Sequence, residues 1–397
     1  TEGAATWSNG ETYYLHHYSD YYPTNFTVER VEILNPHMDA ITCHRARHIT
    51  VRDNVIKFPN NPEATGDATS GLEIEDGCED ALYENNAVYN ASVCIFPHTH
   101  PTSYPAIANI NIKDNKCFFN TFSGVGDTGG GISIDGAATA PILNLTLENN
   151  LVDAGGRSNV YVAATEKSGI GRVHIRNNRF MYLSPTATGS IQVNDNGTSG
   201  TEFVIEGNRC YGCLRQSINV MADNAIIKGN YLYSPAGEGI NLSSGADYGI
   251  IIGNIIYGDT SSCLNTDADY GIISDNRFNG CAYDIQLGTS ANDNKVFDNI
   301  LTNASKNIWV RNAANDIKNN TGFVTRNIGT ADVDCGATVT HGIVGTPTYI
   351  QITAGDTGIT SGIYPSAIGA TTFIITCTDS GDGTYNFSWE AGWVGTN

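Results

Sequence analysis

The sequence predicts an all-β solenoid of about eleven rungs followed by a small β domain. Three observations predict it. A short phrase recurs along most of the chain: an apolar residue, a spacer, an apolar residue, then two turn residues of which the second is Asn. A second apolar–polar–apolar segment lies midway between successive copies of the phrase. Finally, the 397 residues include 43 Gly and only 16% charged residues, which suits short strands and tight turns rather than helices.

The phrase is clearest at Ile49–Asn54, Ile110–Asn115, Leu145–Asn150 and Val173–Asn178. Its closing Asn recurs at 54, 86, 115, 150, 178, 208, 230, 254, 276, 299 and 320, at intervals of 28–35 residues before Asn208 and 21–24 after it. A minimal rung of about 22 residues therefore carries extra loops in its N-terminal half. The residue before the Asn is Asp, Asn or Gly (Asp53, Asn85, Gly207, Gly253, Asp275), the types that tolerate left-handed turns. Stacked rungs would set Asn over Asn, so that the side-chain amides bond along a ladder. That is a structural role and accounts for the repeat without any catalysis.

The midway strand reads Leu72-Glu73-Ile74, Val93-Cys94-Ile95, Ile132-Ser133-Ile134, Val160-Tyr161-Val162 and Ile191-Gln192-Val193, and it continues to Ile308-Trp309-Val310. Alternation at period two points the flanking apolar residues inward and the middle residue outward. Short Ile/Val strands joined by Asn, Gly and Asp turns describe a parallel β-helix. A leucine-rich repeat would need a Leu-dominated consensus and a helical return, and neither is present. With these residues in view, the chain over roughly residues 31–325 resembles the right-handed parallel β-helix superfamily, which includes pectate lyases, polygalacturonases and phage tailspikes. The resemblance implies fold more strongly than activity.

Residues 1–30 depart from the pattern with Trp7, Tyr13, Tyr14, Tyr21 and Tyr22 and read as an aromatic N-terminal cap or an attachment segment, since an open solenoid end needs covering. Residues 326–397 read as a small β-sandwich-like domain with alternating strands such as 349–352, 371–375 and 385–389. The run from Gly329 to Ala391 is similar to a module at the C-terminus of phage and prophage β-helix proteins. The resemblance implies a terminal adhesion or trimer-clamp domain on a viral appendage. His341 reads as a satisfied turn residue.

The net charge of −20 argues against nucleic acid as a partner, since phosphates need Lys and Arg, but does not exclude acidic polysaccharides, because a local groove can differ from the mean. No window holds 18 consecutive apolar residues, so no membrane insertion is expected. Thr1–Thr6 carries no signal-peptide core, although the expected location is extracellular. The ten Cys are scattered, and Cys210-Tyr211-Gly212-Cys213 has no second CxxC or His pair to make a zinc site. They read as buried thiols, with Cys335–Cys377 the best disulfide candidate.

No short motif announces a mechanism. Asn265-Thr266-Asp267 matches one string of the polygalacturonase set, and the rest is missing. A pectate lyase would need an outward Arg or Lys. The outward column (Glu73, Cys94, Ser133, Tyr161, Gln192 and onward to Trp309) contains neither. Its five consecutive amides, from Gln192 to Gln286, suit sugar hydroxyls but equally a self-satisfied ladder. The longer loops after the midway strands, at 96–108, 135–144, 163–172 and 194–202, would wall a groove. A saccharide is placed there along Glu73, Ser133, Tyr161, Gln192 and Asn219. Glu75, Asp135 and Asp195 are the candidate catalytic carboxylates. Glu75 and Asp135 are two rungs apart, about 9–10 Å, near the separation that an inverting glycosidase uses. Glu166 also lies near this groove. Each could instead be a solvated turn residue. His98-Thr99-His100 and the column Asp223, Asp247, Asp269 could hold a cation, but a plain His pair and turn caps account for them. No metal and no cofactor are expected.

Three functions fit this reading. The first is a homotrimeric virion tailspike or tail-fibre protein that binds a host surface polysaccharide and could hydrolyse it. The others are a non-enzymatic structural or adhesive surface protein, and a secreted polysaccharide hydrolase.

Overall fold

In a computed structural model the chain winds through three long parallel sheets and ends in two small antiparallel ones. The structure describes residues 13–15, 23–36, 39–58, 70–100, 105–118, 130–137, 140–153, 159–164, 170–181, 189–194, 202–213, 216–234, 237–258, 261–302, 306–311, 315–323, 326–343, 346–354, 362–377 and 384–392. Sheet I has 12 strands, from Tyr13–Leu15 to Lys306–Val310. Sheet II has 12, from Thr24–Glu29 to Asp316–Lys318, and sheet III has 11, from Glu32–Leu34 to Ile300–Thr302. Each coil passes through the three in the order I, II, III. Tyr13–Leu15 and Thr24–Glu29 already pair in parallel with the coil above, opposite Ile41–Cys43 and Arg47–Arg52.

The recurrent Asn is the hinge between sheets II and III. Along the eleven positions each Nδ2 donates to the Oδ1 of the next coil's Asn at 2.9–3.1 Å. That same oxygen accepts the backbone N–H of the preceding Asn. Every residue before it has φ between 52° and 66°, whether Asp, Asn or Gly. A non-glycine costs little there only when its side chain is short and polar, which explains the composition of the phrase. The second hydrogen of each amide reaches a carbonyl, as from Asn208 to Ile175 at 2.8 Å, so a row of fully buried polar groups is satisfied.

Between the sheets lies one continuous apolar core of stacked Ile, Val, Leu and Phe. Where sheet III turns into sheet I the coil is tight: a Cβ on Gly71 would stand 2.8 Å from the Cys94 carbonyl oxygen. The sequence reading of six Cys as buried thiols is corrected at this corner. Inward residues meet across it, and Cys94–Cys117, Cys210–Cys213 and Cys263–Cys281 are disulfides, with Cα separations of 5.7, 6.4 and 5.5 Å, within disulfide reach. Cys335–Cys377 is also bonded, as expected. Cys43 and Cys78 are buried thiols.

Residues 326–392 form two three-stranded antiparallel sheets around Phe373, Phe387 and Trp389. There the buried His341 takes the Ile343 N–H on Nδ1 at 3.2 Å, and its Nε2 is 3.1 Å from the Gly369 carbonyl. Asp223, Asp247 and Asp269 are turn caps: Oδ1 of the first two accepts the N–H of the next, at 2.9 and 2.8 Å, and Asp269 accepts that of Asn292 at 2.7 Å.

Candidate functional site

The outer face of sheet I is set by its register. Thr42 lies opposite Glu73, Glu73 opposite Phe96, Ser133 opposite Tyr161, and Tyr161 opposite Gln192. The sequence reading placed Cys94 in this column. The structure corrects it: Ile95 pairs with Leu72 and with Ile132, so Phe96 takes the outward place and Cys94 turns into the corner.

Two residues further along each strand a second outward column forms. His44 is opposite Glu75, and His98 is bridged to Asp135. The amide of His98 donates to the Ile74 carbonyl at 2.9 Å, which sets His98 beside Glu75. The order along the axis is therefore His44, Glu75, His98, Asp135, one coil apart each. Glu75 and Asp135 share a column with an imidazole between them.

His98 Nε2 is 2.9 Å from Glu73 Oε1 and 3.5 Å from Glu75 Oε1. Thr42 Oγ1 donates to Glu73 Oε2 at 3.0 Å. Phe96 stacks on the His98 ring at 4.3 Å. Burial disfavours the charged imidazole, but the two carboxylates outweigh it and raise its pKa to about 10. His98 is thus a cation at neutral pH. Beside it Asp76, fully buried, accepts the His100 N–H and meets His100 Nδ1, both at 2.8 Å. Asp135 differs from the other acids: its Oδ1 is buried without a hydrogen-bond partner. Burial raises its pKa, with His98 and His100 opposing.

The other expected residues scatter in environment. Ser133 is fully buried, with no partner for Oγ, and so is closed to a ligand in this form. Tyr161 is half-buried, and its hydroxyl accepts from Asn194 at 3.2 Å. Gln192 donates to Asn194 at 2.9 Å, and Asn241 donates to Asn219 at 2.8 Å. From Asn219 to Asn265 the column is a self-bonded amide ladder. Asp195 and Glu166, and much of the expected loop wall, lie outside the described residues. The sequence reading did not single out the long connections from sheet III strands to sheet I strands, which fall at 59–69, 119–129, 154–158 and 182–188 and lie outside the described residues. It also missed Asp76 and His44, and set His98 aside. Counting residues could not place His98 in this column, because the register of its strand is fixed only by the pairing of Ile95 with Leu72 and Ile132.

Glu73, Glu75 and His98 bring one ligand atom each within 4.8 Å of one another, as do Cys263, Cys281 and Asp284. The first group has a donor set that suits a hard or borderline divalent ion. Within the described residues its own imidazolium already balances the two carboxylates.

Residues 158–321 match the family model described as right handed beta helix region. The fold is a right-handed parallel β-helix. Among solved structures, the A-modules of two mannuronan C-5 epimerases of Azotobacter vinelandii (AlgE6 and AlgE4) are similar at 13% and 15% identity. Their TM-scores are 0.54 and 0.53, covering 75% and 74% of this chain and 80% of each of theirs. The tailspike of E. coli bacteriophage HK620, in complex with a pentasaccharide, is similar at 10% identity and TM-score 0.50, covering 93% of this chain and 69% of that one. No curated protein sequence matches the chain. At such identities the likeness is one of fold. Within that fold, sheet I of this β-helix carries the ionisable column.

Proposed function

We propose that the protein is a tailspike-like appendage protein that binds a host cell-surface polysaccharide over the N-terminal half of sheet I and hydrolyses it there with inversion. The observation that carries the reading is the column Glu75–His98–Asp135, with an acid on either side of an imidazolium. Asp135, whose pKa is raised by burial, would protonate the glycosidic oxygen as the bond to the anomeric carbon breaks. Glu75, 3.5 Å from His98 Nε2, would take a proton from the water attacking the opposite face. The two backbones are two coils apart, about 9–10 Å, and inverting pairs are separated by about 6.5–9.5 Å. Epimerase and tailspike neighbours support the reading only in that their fold is used on polysaccharides. Homotrimeric assembly on a virion tail belongs to the same proposal, and sedimentation of the purified protein tests it.

One observation favours a second reading, a binding protein without catalysis. The side chains of Glu73, Glu75 and His98 are only 10%, 15% and 13% exposed, as a sealed structural cluster would be. Incubation with capsular and cell-wall glycans of the host, followed by reducing-end release, separates the two. Product that disappears in Asp135→Asn supports hydrolysis. Binding with no product from any host glycan leaves the adhesin.

A further inference from the structure

The outer faces of sheets II and III treat charge in opposite ways. On sheet II, cations lie against acids of the neighbouring coil. Arg52 meets Glu29 at 2.6 Å, Lys113 meets Glu84 at 2.7 Å, Arg176 meets Glu148 at 2.8 Å, and Lys228 meets Glu206 at 3.2 Å. This is a neutralised solvent face.

Among the described residues sheet III has no such pairing beyond its first coils, where Lys57 meets Glu32. One outward column runs Lys116, Leu151, Arg179, Arg209, Tyr231, Ile255, Arg277. Lys116, Arg179, Arg209 and Arg277 are exposed, and none has an ion pair among the described residues. Arg179 and Arg209 stand directly opposite each other in register, an arrangement of like charges that opposes folding. The adjacent column supplies Phe118, Tyr211, Tyr233 and Tyr257, with Asp153 the one carboxylate on this stretch. Tyr233 is 41% exposed, Tyr231 and Tyr257 have ring centroids 5.6 Å apart, and the Arg179 guanidinium lies 5.4 Å over the Tyr211 ring.

In a chain of net charge −20, acids are plentiful, so the lack of an ion pair at these four cations among the described residues is a property of the face. From Lys116 to Arg277 is six coils, about 29 Å. A strip of that length, with four cations in one column and four aromatic rings in the next, matches an extended anionic chain built of rings. We propose that the outer face of sheet III is a second glycan-binding surface, for a polysaccharide carrying carboxylate or sulfate groups, with the guanidinium groups on the acid groups and the tyrosines against the sugar rings. It is separate from the sheet I site and independent of whether that site hydrolyses anything.

The test is affinity electrophoresis of the full chain in gels containing polygalacturonate, hyaluronate, heparin or neutral dextran at low ionic strength. At least one acidic polymer should retard the wild type more than dextran does, and added salt should reverse the effect. The triple variant Arg179→Gln/Arg209→Gln/Arg277→Gln should weaken binding about tenfold or more and flatten its salt dependence. Tyr233→Ala should weaken it with the charge intact, which a merely electrostatic film would not show. The triple variant should keep whatever glycan release the sheet I site shows, so failure at one site is not mistaken for failure at the other. Thermal melts confirm that each variant is folded. Retention by the triple variant within about twofold of wild type, equal retardation by dextran, or no retardation by any acidic polymer would overturn the proposal. So would a fall in oligomeric state in the triple variant, which would make this face a subunit contact.

Discussion

His98 Nε2 stands 2.9 Å from Glu73 Oε1, one coil away, and its pKa is raised to about 10. A charged imidazole is thereby built into the outer face of sheet I, and Glu75 and Asp135 lie on its two sides.

The first prediction concerns that pair's linkage to pH. A His whose pKa rises from 6.5 to about 10 on folding adds stability that is complete below about 6.5 and disappears as pH passes through 10. His98→Gln should cost about 3 kcal/mol near pH 6, because two buried carboxylates lose their cation. The deficit should shrink steadily towards pH 10. Urea unfolding at a series of pH values measures it, and a deficit independent of pH would contradict this account.

Asp135→Asn should retain glycan binding and lose glycan cleavage by about 10²–10⁴-fold, the range for removal of a general acid. Glu75→Gln should behave likewise. Since Asp135 titrates above its ordinary range, the basic limb of the rate–pH profile should belong to it and vanish in the variant.

Truncation of one rung of the Asn ladder should be costly. Asn208 Oδ1 accepts from both the backbone and the side chain of Asn178, and its amide donates to Ile175 O and Asn230 Oδ1. Asn208→Ala leaves several buried groups unpaired, so a loss of about 3 kcal/mol is expected in equilibrium unfolding. Asn265→Ala, in the outer ladder of sheet I, should cost under about 1 kcal/mol, because water can replace its bonds.

Asp284 is fully buried, and the Thr302 amide is the group that approaches its carboxylate. Burial raises its pKa from 3.8 to about 7, opposed by the Thr302 amide. Ionisation therefore weakens the fold: there is no penalty below pH 3.8, it grows to about pH 7, and it is constant beyond. Asp284→Asn should equal wild type at pH 4 and exceed it by about 2 kcal/mol at pH 8, after allowance for solvent screening. A variant less stable than wild type at pH 8 would show that the carboxylate has an unseen partner.

The solenoid was legible because its cause is local. A left-handed turn residue followed by an inward Asn specifies each corner from two adjacent positions, and Ile/Val alternation specifies each strand. The frame of one strand was not legible. Val93, Ile95 and the residues between them alternate equally well in two frames, and a shift of two residues changes no face. Only pairing of Ile95 with Leu72 and Ile132 decided that Phe96 is outward and that His98 meets Glu75.

By itself, then, the sequence determined the coil, the ladder and the half of the molecule where insertions gather. Tertiary structure decided which polar side chains meet, because partners in a parallel solenoid come from neighbouring coils, 21–35 residues apart by a variable loop. His98 with Glu73 and Glu75, the Cys pairs across the corner, and the unpaired cations of sheet III all depend on that stacking. None of them can be counted off along the chain, since the loop lengths that set the register are not repeated.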